Sequence, residues 1–376
     1  MPVPSAPVRI AGAGPAGLAA AIVLARAGRA VEVHERRAQA GARFGGDLQG
    51  LENWTTDGDV LDELRALGLA IDFHAAPFAA GIQTDGAHDD RLAFDRPLFY
   101  LVKRGDVAGS LDRALVRQAE AVGVRIRWST PSPPGTADID ATGPRGRTPF
   151  AIDTGIVFGT DAPDQAVALL HDDTAPRGYA YLLVTEGYGC CCTMLFDDFP
   201  SIHARFAQVK RLLLERRGIV VRDPRTVGGL GHVRARGTWT DGAARRVGEA
   251  AGLQDFLWGF GIRLAIRSGA LAARALLEGF DYARAAEATF APVLRRGVVN
   301  RWLWETAGGG DYAAVRWAMR TLGAPRLLRA LHRDAWWSGA LAPLATRAMA
   351  ARYPAVMGAA PTSRAAKARA PVASTA

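Results

Sequence analysis

Lysine is nearly absent from this chain. Of 46 basic residues only Lys103, Lys210 and Lys367 are lysines, and the arginines are scattered along the whole length. The net charge of +9 therefore comes without the basic stripe of a nucleic-acid-binding surface, and no nucleic-acid partner is expected. An anionic small-molecule ligand, such as a pyrophosphate or an acidic substrate group, would explain part of the excess just as well. Cysteine is confined to one run, Cys190-Cys191-Cys192. It offers no C-x-x-C spacing and no pairing for a secreted disulfide framework. Neighbours on a strand face opposite ways, so three in a row do not close a tetrahedron on a metal ion. Buried small side chains in a central strand of a reduced, cytoplasmic protein are expected instead. The chain also lacks an uninterrupted apolar run of the roughly 18 residues that a spanning helix needs. Its N-terminus has no charged segment ahead of a cleavable apolar core. A soluble or membrane-peripheral protein is left.

The rest is an ordinary globular composition, 49% apolar and 22% charged over 376 residues, enough for two packed domains. Val8 to Ala11 reads as a short strand, and an Ala- and Leu-rich helix runs on to Gly28. Residues 30–35 form the next strand, completing the βαβ unit of a parallel sheet. Residues 41–55 are glycine-rich and irregular. Helices are predicted over 57–67 and 110–122, the second with Ser110 as N-cap and Gly123 as terminator, followed by a strand at 124–128. Residues 151–240 read as short antiparallel strands with one helix around 203–216. A long helix rich in small residues is predicted over 261–277. From about residue 290 the chain is helical, arginine-rich and tryptophan-bearing, with a disordered tail beyond Gly358.

Two motifs carry chemistry. The first is Gly12-x-Gly14-x-x-Gly17, with Pro15 and Ala16 inside it. It follows a strand, opens a helix, and precedes by about 20 residues an acid, Glu35, with Arg36 beside it. Gly12 permits the tight turn, Gly14 lets backbone approach a pyrophosphate, and Gly17 lets helix and strand pack closely. Free N–H groups at the helix start would receive the phosphates, and Glu35 would accept hydrogen bonds from ribose hydroxyls. An acid there disfavours a 2′-phosphate, leaving FAD or NAD as the bound dinucleotide.

The second runs Gly248-Glu249-Ala250-Ala251-Gly252 through Gly259-Phe260-Gly261-Ile262. It resembles the G-D-A-A-G-x-x-x-P-x-x-G-x-G-I motif of geranylgeranyl reductases and the wider p-hydroxybenzoate hydroxylase superfamily of FAD enzymes. The resemblance spans roughly residues 8–290. It implies that the turn binds the flavin ribityl chain and that a helix N-terminus faces the isoalloxazine ring. Arg104, ahead of Ser110-Leu111-Asp112-Arg113, resembles the family's cofactor-contacting arginine. Asp140-Ala141-Thr142-Gly143 resembles the turn closing the adenosine side. The family's Asp is Glu249 here, its Pro is Phe256, and the acid found in the reductases is Phe260. Phe256, Trp258 and Phe260 are therefore expected to make the flavin's surroundings apolar and aromatic.

The implied fold is α/β: a Rossmann-like FAD-binding domain of p-hydroxybenzoate hydroxylase type, with an inserted α+β substrate domain and a C-terminal helical region. The FAD-binding domain is expected over 1–75, 99–150 and 241–290, and substrate-domain strands over 76–98 with its body at 151–240. Helices fill 291–358 and the tail 359–376. No second nucleotide fingerprint occurs, so NADPH or NADH would bind only transiently as electron donor. Fold alone does not choose among prenyl reduction, hydroxylation or epoxidation, halogenation and redox-neutral cyclisation. An inactive flavin-binding scaffold is a further alternative. Halogenation needs a lysine beside a tunnel, and Lys103 is the only lysine before Lys210. The segment Trp302-Leu303-Trp304 lacks the halogenase Ile-Pro, and is assigned to helix packing. Aromatic hydroxylases of this group usually carry His at the position of Gly252. A geranylgeranyl-reductase-like reduction of an apolar, isoprenoid-type small molecule is the reading adopted, with a peripheral membrane contact through Trp336-Trp337 and Arg329, Arg333 and Arg347. Asp47, Trp54, Tyr100, Tyr179 and Tyr181 fall in segments able to approach the ring, and no proton donor is assigned among them. Oligomeric state is left open.

Overall fold

The computed structural model describes residues 6–144, 148–308, 310–333 and 336–358; the predicted tail 359–376 lies outside the described residues. Strand Val8–Ala11 pairs in parallel with Val31–His34 across the helix Pro15–Arg26. Pro15 sits at the first helical turn, where its missing N–H leaves no bond unmade. A six-stranded sheet grows around this unit. Its order is Thr240–Asp241, Ala244–Arg246, Ile139–Asp140, Val8–Ala11, Val31–His34 and Arg125–Arg127. Both faces of Pro15–Arg26 are apolar and buried. The helix Ile262–Glu278 crosses it so closely that a Cβ on Gly269 would lie 2.0 Å from the Ala16 carbonyl oxygen. The small residues of that helix are thus dictated by packing, not by composition alone.

A seven-stranded sheet runs Arg222–Gly231, Ala151–Gly159, Tyr188–Leu195, Tyr179–Thr185, Gln165–Leu169, Ala80–Thr84 and Asp89–Ala93. The cysteines lie centrally in it and alternate as a strand requires. Cys191 packs with Phe158, Phe206 and Val209 under the helix Ile202–Lys210. Cys190 and Cys192 face Leu48, Leu101 and Val157 on the other side. All three are free and buried, and no metal-binding cluster occurs among the described residues. A third sheet of Gly45–Glu52, Phe99–Gly105 and Ala75–Phe78 packs there, between the other two.

The C-terminal part is helical: Tyr282–Ala307, Ala313–Leu322, Ala324–His332, Trp336–Arg352 and Pro354–Met357. None of the described helices is long and apolar enough to cross a membrane. The helix predicted over 57–67 is shorter, Val60–Ala66. Asp59 caps it by accepting from Leu61 N, and Arg96 holds the carbonyls of Asn53, Thr56 and Asp57 in a loop. The helix predicted over 110–122 is Leu111–Ala121, with Ser110 Oγ accepting from Arg113 N at 3.2 Å.

Candidate functional site

One cavity of about 780 Å³ runs between the three sheets and the C-terminal helices. At one end its wall is the first glycine turn. Gly12, at φ +101°, has no room for a side chain, since a Cβ would meet the Ala141 carbonyl oxygen at 2.3 Å. Gly17 is equally confined, 2.0 Å from Gly12 O, so its role is contact between helix and strand and it does not line the cavity. Gly14 differs: it lines the cavity, and a Cβ there would meet no protein atom within 4 Å. Pro15, Ala16, Glu35, Arg36 and the turn Ala141–Gly143 complete this end. Glu35 is tied to the turn it serves, accepting from Ala13 N (2.8 Å) and Arg37 N (2.9 Å). Each carboxylate oxygen keeps a second lone pair for a ribose hydroxyl.

Charged groups line the middle of the cavity. Arg43 and Glu249 form a two-pronged ion pair at 2.9 and 2.6 Å, joining the glycine-rich stretch, which is not irregular as expected but forms the strand Gly45–Glu52 just after Arg43, to the second motif. Arg104 is buried with Asp112, at 2.9 and 3.0 Å, and donates to Gln49 Oε1 at 2.9 Å. Its guanidinium lies 4.3 Å above the Phe44 ring centre. Asp47 and Asp153 both line the same stretch. Burial raises the Asp47 carboxyl, against the pull of the Gly45 N–H and Arg104. Asp153 is pushed up to about 6 by burial and by the charge of Asp47, with Arg43 and the Gly229 N–H opposing. Two carboxyls in one poorly hydrated space do not both ionise freely.

The far end is aromatic. Trp54 stands edge-on to Phe260 (centres 4.8 Å apart) and to Trp258 (6.1 Å), and Trp258 stands edge-on to Trp304 (5.9 Å). Phe99, Met319 and Leu328 extend this wall. Tyr179 donates its hydroxyl to the Trp258 carbonyl at 2.6 Å and is pushed well up by burial, so it stays protonated. The strand-turn of the second motif ends in a short turn Gly248–Ala251. It leads through Gly259, Phe260 and Gly261 into the helix Ile262–Glu278, whose N-terminus opens on the cavity.

Every candidate cofactor residue except Gly17 thus lies on this one cavity, although the first and last are 250 residues apart in sequence. Three other expectations need correction. Phe256 does not face the cavity: it is buried among Phe150, Phe196 and Val298 beneath the C-terminal helices. Tyr100 turns away and donates to Asp59 Oδ2 at 2.8 Å, because Phe99 and Leu101 take the inward positions of its strand. Trp304 packs as expected but also reaches the cavity wall. Asp47, Trp54, Tyr179 and Tyr181 do line it. Sequence reading missed Arg43 and Asp153. Arg43 carries no signal in its neighbours. Asp153 does: along Ala151–Gly159 it shares the inward face with Ala151, Gly155 and Val157, a lone charge in an apolar phase.

Residues 5–144 match the family model described as an FAD binding domain. No curated protein matches the chain in sequence. Among solved structures, a geranylgeranyl bacteriochlorophyll reductase-like protein from Thermoplasma acidophilum is 16% identical with a TM-score of 0.64, over 93% of this chain and 97% of that one. The flavin-dependent brominase Bmp2 is 16% identical with a TM-score of 0.62, over 92% and 99%. The p-nitrophenol 4-monooxygenase PnpA from Pseudomonas putida is 17% identical with a TM-score of 0.61, over 87% and 97%. Identities this low establish a shared fold, not a shared reaction. Residues 5–144 thus form an FAD-binding domain, and the chain as a whole shares the fold of these flavoproteins.

Proposed function

We propose that this flavoprotein reduces a carbon–carbon double bond in an apolar, isoprenoid-type substrate, with NADPH or NADH as transient electron donor. The observation that carries the reading is the wall of Trp54, Trp258, Phe260, Trp304, Phe99 and Met319 at the far end of the cavity. An apolar chain loses water there at a gain of about 25 cal/mol per Å² buried, whereas a polar ring would forfeit hydration with little in exchange.

The cavity's chemistry fits FAD. Gly14 offers bare backbone at the start of a helix, suited to a pyrophosphate. Glu35 would take the ribose hydroxyls, and Arg36, Arg43 and Arg104 supply positive charge along the diphosphate and ribityl stretch. Glu249 would take a ribityl hydroxyl. Gly259, Phe260, Gly261 and Ile262 would set a helix N-terminus toward the ring. Bound FAD supplies the two-electron reduction. The protein's own part is to exclude water with Trp258 and Phe260, and to provide a proton. The Asp153 carboxyl, protonated near pH 6 because burial and Asp47 oppose its charge, would give that proton to the substrate carbon. Tyr179, bonded to the Trp258 carbonyl, fixes the turn on which Trp258 stands. No lysine lines this cavity among the described residues, and Lys103 lies over the Tyr188 ring at 4.8 Å, which disfavours halogenation.

The test is anaerobic. FAD released on denaturation is identified by chromatography, the flavin is bleached with NADPH or NADH, and a short polyprenyl alcohol is added. Return of the oxidised spectrum together with a saturated product supports the reading. Recovery only on admission of air, with an oxygenated product, would refute it in favour of a monooxygenase.

A further inference from the structure

The whole net charge of the molecule resides in its last 65 residues. Residues 312–376 hold ten of the 46 basic side chains but only one of the 37 acidic ones, Asp334, so residues 1–311 are neutral overall. Within this region the helix Trp336–Arg352 is apolar on two faces. Ala342, Ala345 and Met349 are buried against Val298 and Val299 of the helix Tyr282–Ala307. The opposite face, at spacings of three and four residues, is Trp336, Gly339, Ala340, Pro343 and Leu344, all exposed and ending in Arg347. Trp336 is 87% exposed and Leu344 55%. On the helix Ala313–Leu322, Trp317 and Leu322 are also exposed, at 55% and 51%. Arg326 and Arg347 are exposed with no ion-pair partner among the described residues.

We infer that the exposed face of the helix Trp336–Arg352 rests on an anionic lipid bilayer, with Trp336 and Leu344 in the headgroup–acyl boundary and Arg326 and Arg347 on acidic headgroups. A second copy of the chain fits the face less well, because a two-fold contact would bring Arg347 and Arg326 of both copies together. Nucleic acid would use the charge but leave the Trp–Ala–Pro–Leu stripe bare. Apolar anchoring plus about 1 kcal/mol per arginine near an acidic surface is the combination that holds proteins at membranes. The two helices that precede Trp336 in the chain carry Met319, Ala324 and Leu328 of the cavity wall. The inference rests on surface composition and stands whether or not the cavity takes an isoprenoid.

The experiment is co-sedimentation of the FAD-loaded protein with phosphatidylcholine vesicles, with and without phosphatidylglycerol. Binding is expected only to the phosphatidylglycerol vesicles and is expected to weaken steeply as salt is raised. Trp336→Ser with Leu344→Asp, and separately Arg326→Glu with Arg347→Glu, are each expected to lower partitioning by about ten-fold or more. Neither pair should alter flavin content or melting temperature. No binding to acidic vesicles, or equal binding to neutral ones, overturns the inference. So does a dimer in light scattering that Leu344→Asp dissociates, or release of the protein from acidic vesicles by duplex DNA. None of these readouts involves catalysis, so this inference and the proposed reaction fail independently.

Discussion

Asn in place of Asp153 should make the protein more stable and less active at once. The Asp153 carboxyl titrates near 6 in the fold against 3.8 for the free group, because burial and the Asp47 charge resist ionisation. The folded state therefore binds this proton more tightly than the unfolded state, and stability is lost as pH rises from the unfolded value to the folded one. Below pH 3.8 the group is neutral in both states and contributes no difference. Above about 6 the whole penalty is present, roughly 3 kcal/mol at about 1.4 kcal/mol per tenfold change in proton affinity. Solvent access to the cavity reduces it, so about 1–3 kcal/mol is the expectation. Asp153→Asn removes the charge while keeping shape and polarity. Thermal unfolding of variant and parent, both stripped of flavin, should coincide near pH 4 and diverge near pH 8 in favour of the variant. Turnover measured as anaerobic flavin reoxidation by substrate should fall at every pH, and in the parent it should decline as pH rises past about 6. A variant no more stable near pH 8, or equally displaced at both pH values, would show that the Asp153 charge is not resisted by its surroundings.

Other consequences are equally direct. Gly14→Val should leave the melting temperature within about 1 °C, yet weaken FAD binding by roughly 100-fold, measured by fluorescence titration, as backbone bonds to phosphate are lost. Gly17→Ala should do the reverse of a binding defect: its Cβ would fall 2.0 Å from Gly12 O, so destabilisation of about 3 kcal/mol or loss of soluble protein is expected. Arg104→Met should cost about 3–5 kcal/mol in urea unfolding by stranding buried Asp112, and much of this should return on adding Asp112→Leu. Native protein should show no thiol reactive to a disulfide reagent and three after unfolding, because Cys190, Cys191 and Cys192 are all buried.

What was legible in the sequence is what backbone geometry forces. Gly12, Gly17 and the second motif record turns and close approaches that few other residues tolerate, so their spacing announced both the fold and the cofactor end of the cavity. The cysteine alternation was legible for the same reason, a period of two. Side-chain partners across sheets were not. Phe256 lies three residues from the Gly259–Ile262 turn, yet it sits beneath Gly297 of a distant helix, whose Cβ would come within 2.9 Å of its own. Nothing local to 248–262 encodes that helix's path. Arg43 meets Glu249 only because the third sheet packs between the other two. Asp153 could have been found from strand phase, had an acid among inward apolar positions been read as a buried titratable group.

The six-stranded sheet has a consequence for how the protein is made. Its first strand is Val8–Ala11, but the strand flanking Ile139–Asp140 on the far side is Ala244–Arg246, and Arg246 also pairs with Asp140 in register. At about 5–20 residues per second, synthesis reaches residue 246 roughly 10–50 s after the glycine turn is translated. Through that interval the turn faces a half-built sheet, and the seven-stranded sheet, from residue 80 to 231, is complete only about 15 residues, or roughly 1–3 s, before it closes. The six-stranded sheet is therefore the last to be completed, so flavin would be captured late, as the step that locks the finished chain.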